Sequence, residues 1–197
     1  GSGGPDPTKR YRSALEADPA DVFGHAMWGF ELLRDRSSPT ELAEARKHFA
    51  AALGTGRERE YLRSLEISGL LQTSTNAWID DLERQKEVLR VANAMRAGNE
   101  KTPKGWSSLR RKVWSIYYFG FVSADERAQL LAALPPAEHL ATFRWLFPAD
   151  DLPTNQGDYQ LFEYRFVLAN VEEYGADRAA ALASYRRLLD EFAAKKY

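Results

Sequence analysis

The chain has 197 residues, of which 44% are hydrophobic, 12% aromatic and 28% charged, and it contains no cysteine. These values are those of a globular chain, and they exclude a disulfide scaffold, a thiolate metal site and a cysteine nucleophile. The 27 basic and 28 acidic side chains give a formal net charge of −1, which argues against a dedicated nucleic-acid binder.

The first half of the chain predicts amphipathic helices separated by short turns, because apolar residues recur at intervals of three and four. We expect these helices at 8–17, 20–34, 39–53, 57–71 and 77–97, with a cap region at 73–76 and a loop at 98–105. In the second of these helices, the apolar residues share one face: Val22, Phe23, Ala26, Met27, Phe30 and Leu33. Ser38 and Glu41 have the spacing of a capping box, and Gly54 and Gly56 are typical of a helix end.

The second half predicts further helices at 106–119, 124–134, 135–147, 159–174 and 177–194. Ser123 and Glu126 repeat the capping-box spacing. The longest irregular stretch is 147–157, and the apolar run 116–122 lacks the alternation and the partner of a strand. We therefore predict an all-α fold of about nine or ten helices in antiparallel hairpins.

The chain is expected to form a single helical domain over 8–197, with a sub-boundary at 98–105. Residues 1–7 are expected to be flexible, and Gly1–Gly4 resembles an expression scar. Because a native leader would then have been removed, we favour a periplasmic or exported location, with the cytoplasm as the alternative. No apolar run approaches the roughly 20 residues that span a bilayer.

Two predicted helix pairs, 20–53 and 159–192, carry small residues and large fillers at corresponding positions. These positions are Gly29, Ala45, Phe49 and Ala52 in the first pair and Ala169, Ala181, Tyr185 and Leu188 in the second. A small residue in the first helix lets the second helix approach, and the aromatic ring fills the gap to the next hairpin. This pattern resembles the tetratricopeptide repeat over about two hairpins, although the proline that closes the family's repeats is missing. The resemblance implies a right-handed solenoid of stacked hairpins.

A second, local likeness covers residues 123–174. It consists of Asp125-Glu126-Arg127, Leu134-Pro135, Phe143, Phe147, Asp151, Pro153-Thr154-Asn155, Tyr164-Arg165 and Ala169-Asn170. This series is similar to the helical lead-in of bacterial GWxTD-domain proteins. The motif that names that family is absent after Tyr174, so the likeness implies ancestry and no activity.

The sequence offers no constellation that supports catalysis or metal binding. The histidines at 25, 48 and 139 lack metal-ligand spacing, although His25 and His48 could meet across the first hairpin. Asp80 and Asp81 form a poor paired-carboxylate site, because neighbouring side chains on a helix diverge. Asp150 and Asp151 lie in the irregular stretch, where they could bind a cation or cap a helix, and we expect capping or solvation. We therefore expect no enzyme activity, no metal and no cofactor.

Basic and aromatic residues alternate in the segment 101–118. Lys101, Lys104, Arg110, Arg111 and Lys112 surround the rings of Trp106 and Trp114. Such a segment could bind an acidic or phosphate-rich ligand, since cations supply charge and rings supply stacking. The alternative is that the rings fill the core and the cations are solvated.

Stacked hairpins create a concave face that holds peptides or partner proteins. We therefore expect a non-catalytic scaffold or adaptor for a protein or peptide, as a subunit or accessory factor of a larger bacterial assembly, and no nucleic-acid partner. Candidate contact residues, chosen by type and placement, are Trp28, Arg34, Tyr61, Trp78 and Arg165. The alternatives are a small-molecule or lipid carrier with an aromatic-lined cavity and an anionic-ligand or nucleic-acid module that uses 101–118.

Overall fold

The computed structural model of the chain describes residues 7–34, 38–71, 82–101, 106–119, 123–148, 158–175 and 178–195. These stretches contain ten α-helices and no strand, which confirms the all-α prediction of nine or ten helices. The helices are α1 (Pro7–Ala17), α2 (Val22–Arg34), α3 (Pro39–Gly54), α4 (Arg59–Leu71), α5 (Leu82–Ala97), α6 (Trp106–Phe119), α7 (Ala124–Leu131), α8 (Pro136–Leu146), α9 (Asp158–Tyr174) and α10 (Arg178–Lys195). Within these stretches, no helix is both long enough and apolar enough to cross a membrane.

Several predicted features fall on residues that the structure does not describe. They are the cap region 73–76, the first residues of the helix predicted from Ala77, residues 102–105 of the loop 98–105, and residues 149–157 of the stretch 147–157. In the apolar run 116–122, the described part, 116–119, belongs to helix α6.

The capping box predicted for α3 is present. The Ser38 hydroxyl accepts the Glu41 backbone amide at 3.3 Å, and the Glu41 carboxylate accepts the Ser38 amide at 2.7 Å. At α7 the prediction was half wrong. The Ser123 hydroxyl accepts a hydrogen bond from the Glu126 backbone amide at 3.2 Å, as predicted. The Glu126 carboxylate, however, accepts from the Ser123 hydroxyl at 3.0 Å and not from the Ser123 backbone amide.

Helix α7 ends at Leu131, three residues before the predicted end. The Ala132 amide still bonds the carbonyl of Ala128, after which the chain turns toward Pro135. The residue before a proline is disfavoured in helical backbone geometry, so the paired prolines stop α7 early and open α8.

Contacts within the chain divide it into two compact units. Unit 1 comprises the described residues up to Val88, together with Lys101 and 106–109. Unit 2 comprises Leu89–Glu100 and the described residues from Arg110 onward. Helices α5 and α6 therefore contribute residues to both units, and the predicted sub-boundary at 98–105 lies between them in the sequence.

In unit 1, helix α2 packs against α1, α3 and α4. The contact predicted for Gly29 is present, because a β-carbon at this position would lie 2.8 Å from the Phe49 ring and 3.3 Å from the Ala45 carbonyl oxygen. Ala45 and Phe49 are both buried. A glycine in α2 therefore allows α3 to approach closely, as the sequence pattern predicted.

Helices α2 and α4 run in the same direction. Near their starts, the rings of Phe23 and Tyr61 meet with centroids 6.3 Å apart. Near their ends, the guanidinium of Arg84 donates to the carbonyl oxygens of Leu33 and Leu70, each at 2.9 Å. Helix α3 runs the opposite way.

In unit 2, helix α9 packs against α8 and α10. Phe143 is fully buried at the centre of an aromatic cluster whose other members are Trp114, Tyr117, Phe147 and Tyr164. The α9–α10 pair buries the predicted positions Ala169, Ala181 and Leu188. The Tyr185 hydroxyl donates to the Asn170 side chain across the same pair.

Candidate interaction surface

The two parallel helices of unit 1 present a mixed apolar and basic face, which we call the α2–α4 face. Phe23, Met27, Phe30 and Arg34 are spaced by four, three and four residues, so they share one side of α2. Tyr61 and Leu65 share a side of α4 in the same way. These six residues define the α2–α4 face. None of them is fully buried.

Phe23 and Tyr61 form an exposed aromatic pair at the start of this face. Their exposed fractions are 53% and 49%, and their rings meet edge to face with an interplanar angle of 61°. Edge-to-face packing is a favourable geometry for two rings, because the positive edge of one meets the negative face of the other. The contact holds both rings in place while half of each remains accessible.

Phe23 belongs to the apolar face predicted for α2, yet its side chain is exposed. The residues of α2 that are buried are Gly24, Ala26, Gly29 and Leu33. The buried stripe is therefore made largely of small residues, and the larger Phe23, Met27 and Phe30 lie to one side of it. Gly24 and Gly29 indicated in the sequence which side of α2 is buried, since a glycine within a helix often marks a close approach by a neighbouring element.

Arg34 lies at the other end of the same face of α2. Its guanidinium pairs with Glu31 at 3.1 Å, and its side chain is 46% exposed, against 11% for Glu31. The half-exposed side chain of Arg34 is therefore accessible to a partner, while Glu31 is largely buried beside it.

The other predicted contact residues lie elsewhere. Trp28 is half-buried and stacks on His48, with ring centroids 4.4 Å apart, and the Arg12 guanidinium lies 5.6 Å from the Trp28 ring centroid. Trp78 falls outside the described residues. Arg165 belongs to unit 2 and pairs with Glu191 of α10. Of the predicted contact residues that the structure describes, Tyr61 and Arg34 therefore share the α2–α4 face, at its opposite ends.

The basic segment 101–118 is divided between the two units. Lys101 is exposed and belongs to unit 1, as does the backbone of Trp106, whereas Arg110, Arg111 and Lys112 belong to unit 2. Lys104 lies outside the described residues, and the side chain of Trp106 is likewise not described.

Within unit 2, the cations of this segment are in different environments. The Arg110 guanidinium lies 4.9 Å from the centroid of the Phe147 ring, which is a cation–π contact. Arg111 is exposed. Burial, and to a smaller extent the neighbouring Arg111, lowers the pKa of the Lys112 ammonium. The described arrangement thus favours a packing role for Arg110 over ligand binding.

The aromatic rings of unit 2 fill space between helices. Trp114 lies 6.2 Å from Phe143 and 5.3 Å from Phe147 between ring centroids, and the Tyr164 hydroxyl donates to the Phe147 carbonyl at 3.1 Å. Rings that contact one another at these distances act as core, which favours the packing interpretation over an aromatic-lined carrier cavity.

The two histidines that the sequence placed on facing helices do meet. Nδ1 of His25 and Nδ1 of His48 are 2.9 Å apart. Across the described stretches, no group of three or more histidine, aspartate or glutamate residues is arranged to hold a metal ion.

No protein-family model, curated protein or solved structure matches this chain. The resemblances to the tetratricopeptide repeat and to the lead-in of GWxTD-domain proteins therefore stay predictions.

Proposed function

We propose that this protein is a non-catalytic adaptor that binds a protein or peptide partner through the α2–α4 face, as a component of a larger assembly. The observation that carries the proposal is the exposed Phe23–Tyr61 pair. Aromatic residues dominate binding energy at protein interfaces, because they bury a large area with little loss of side-chain freedom.

The packing of α2, α3 and α4 supports the proposal. Two parallel helices with an antiparallel helix packed against the first of them form the minimal unit of a helical-hairpin repeat, in which the parallel helices line the concave face. Phe23 and Tyr61 lie on those parallel helices. The tetratricopeptide-like solenoid is part of this proposal.

Selected peptides test the proposed surface. A random peptide library displayed on phage is selected against the full chain, and the affinity of the enriched peptides is measured by fluorescence anisotropy. Replacing both rings, Phe23→Ser with Tyr61→Ser, is expected to weaken binding at least about tenfold, which corresponds to about 1.4 kcal/mol.

A matched control removes exposed apolar area elsewhere. Leu182 and Leu189 of α10 are 52% and 68% exposed, so Leu182→Ser with Leu189→Ser makes a comparable surface change in unit 2. Circular dichroism checks that both double variants keep their helix content. Peptides that bind the Phe23/Tyr61 variant as tightly as the wild type would refute the proposal, as would a loss of affinity confined to the control.

A further inference from the structure

His25 of α2 and His48 of α3 form a directed chain of hydrogen bonds. Nε2 of His25 lies 3.1 Å from the carbonyl oxygen of Pro19, and Nδ1 of His25 lies 2.9 Å from Nδ1 of His48. His48 is only 8% exposed. Its remaining nitrogen, Nε2, is buried without a hydrogen-bond partner and lies 3.6 Å from a carboxylate oxygen of Glu44.

These contacts fix the tautomers of the two neutral rings. A carbonyl oxygen only accepts, so Nε2 of His25 carries a hydrogen and its Nδ1 is the acceptor. Nδ1 of His48 must then be the donor, which leaves Nε2 of His48 without a hydrogen. The neutral pair therefore has one unsatisfied ring nitrogen, and a carboxylate lies close to it.

A single added proton completes this chain. Hydrogens then lie on Nε2 of both rings, and one hydrogen is shared between the two Nδ1 atoms. Nε2 of His48 carries a hydrogen that faces the Glu44 carboxylate at 3.6 Å. A second proton would put two N–H donors against each other across 2.9 Å and would break the contact.

We propose that His25 and His48 form a coupled pair that takes up one proton with their contact intact and separates when a second proton binds. The proton-binding pair would then be a pH-sensitive contact between α2 and α3. It stands independently of the partner proposed above.

The charged groups around this pair shift the pKa of His48 in opposite directions. Burial is the main cause that lowers the pKa of His48, followed by His25, while Glu44 raises it and Lys47 lowers it. From α1, Arg12 lies over the ring of Trp28, which in turn stacks on His48. Glu44 is therefore the carboxylate that stabilises the added proton.

Nitrogen-15 NMR of the histidine rings tests the tautomers in the wild-type chain. The sequence has three histidines, and the third, His139, has Nε2 3.0 Å from the Leu131 carbonyl oxygen and so carries its hydrogen there. At neutral pH we expect His48 alone to be in the Nδ1–H form. An Nε2–H form of neutral His48 would overturn the proposal.

A pH titration of the same signals tests the coupling. The rings of His25 and His48 are expected to shift together in two steps, with the contact between them lost in the second step. His25→Asn places an amide oxygen near the position of Nδ1, so His48 should keep its Nδ1–H form and titrate in one step.

Glu44→Gln removes the carboxylate that faces Nε2 of His48, and it should move the first step to lower pH. The charge-matched change Glu60→Gln, at an exposed position of α4, should leave both steps in place. Rings that titrate independently, each unaffected when the other is replaced, would disprove the coupled pair.

Discussion

Arg84 shows how one buried cation can join two helix ends. It is fully buried, and its guanidinium donates to the carbonyls of Leu33, at the end of α2, and of Gly69 and Leu70, at the end of α4. The last carbonyls of a helix lack partners within the helix and carry partial negative charge. The side chain of Arg84 therefore caps both parallel helices at once.

We predict that Arg84→Met destabilises the protein. Buried carbonyl oxygens would lose their donor, which costs about 1–3 kcal/mol for an unsatisfied group. Urea unfolding followed by circular dichroism measures the change. The control Arg10→Met, on the exposed surface of α1, should shift stability by no more than about 0.5 kcal/mol. Equal effects of the two substitutions would contradict the capping role.

Gly29 is predicted to be intolerant of even one methyl group. Gly29→Ala would place a β-carbon 2.8 Å from the buried Phe49 ring, and overpacking of this kind costs about 1–3 kcal/mol. At Gly54, nothing lies within 4 Å of the added β-carbon, so Gly54→Ala should stabilise by about 0.5–1 kcal/mol. Thermal unfolding of the two variants should give shifts of opposite sign. A stabilised Gly29→Ala variant would show that the helices can move apart freely.

Single residues also show where sequence reasoning stops. The role of Gly29 was predictable, because a glycine inside a helical pattern has few other reasons to be there. The role of Arg84 as a cap was not predictable, since its partners are backbone carbonyls, which every residue has. Its burial alone could have been predicted, because Arg84 shares the helical spacing of the buried residues Val88, Val91 and Met95 of α5.

At the scale of helices, the two predicted capping boxes should differ in strength. At α3, Ser38 and Glu41 satisfy each other's backbone amides, whereas at α7 the Glu126 carboxylate bonds the Ser123 hydroxyl instead. Glu41→Ala should therefore destabilise more than Glu126→Ala, because only Glu41 satisfies an amide at the helix start. Ser38→Ala should cost about 1 kcal/mol. Denaturant unfolding of the three variants measures the order, and a larger loss for Glu126→Ala would reverse the assignment.

Helix α10 provides a test with two adjacent leucines. Leu188 is 5% exposed and packs toward α9, while Leu189 is 68% exposed. Leu188→Ala should cost about 2–5 kcal/mol, as for other buried leucines. Leu189→Ala should change stability by no more than about 0.5 kcal/mol. Similar losses from both, measured by urea unfolding, would mean that the exposed side of α10 is covered in solution.

Helix positions were largely predictable, and helix partners were not. Periodicity and capping residues mark each helix locally, and most described helix boundaries lie within two residues of the predicted ones. The pairing of Phe23 with Tyr61 depends on α4, which packs beside α2 although it follows α3 in the sequence. The α2–α4 face, and hence the candidate site, required that tertiary arrangement to be known.

At the scale of the whole molecule, both compact units contain a buried histidine. His48 lies in unit 1 and His139 in unit 2. Burial is the main cause that lowers the pKa of each ring. Nδ1 of neutral His139 accepts a hydrogen bond from the Tyr117 hydroxyl at 2.8 Å, and the exposed fraction of His139 is 1%.

We predict that acid weakens the folded chain through both units. An unfolded histidine binds a proton near its ordinary pKa of about 6.5, whereas the folded rings bind it only at lower pH. Between these values the unfolded state holds more protons, so stability is full above the ordinary pKa and falls as the pH drops below it. Urea unfolding on either side of this pH, with His139→Gln and His48→Asn as separate variants, measures each contribution. Each variant should show a smaller loss on acidification than the wild type. A wild-type chain that gains stability in acid would contradict the burial of both rings in their neutral form.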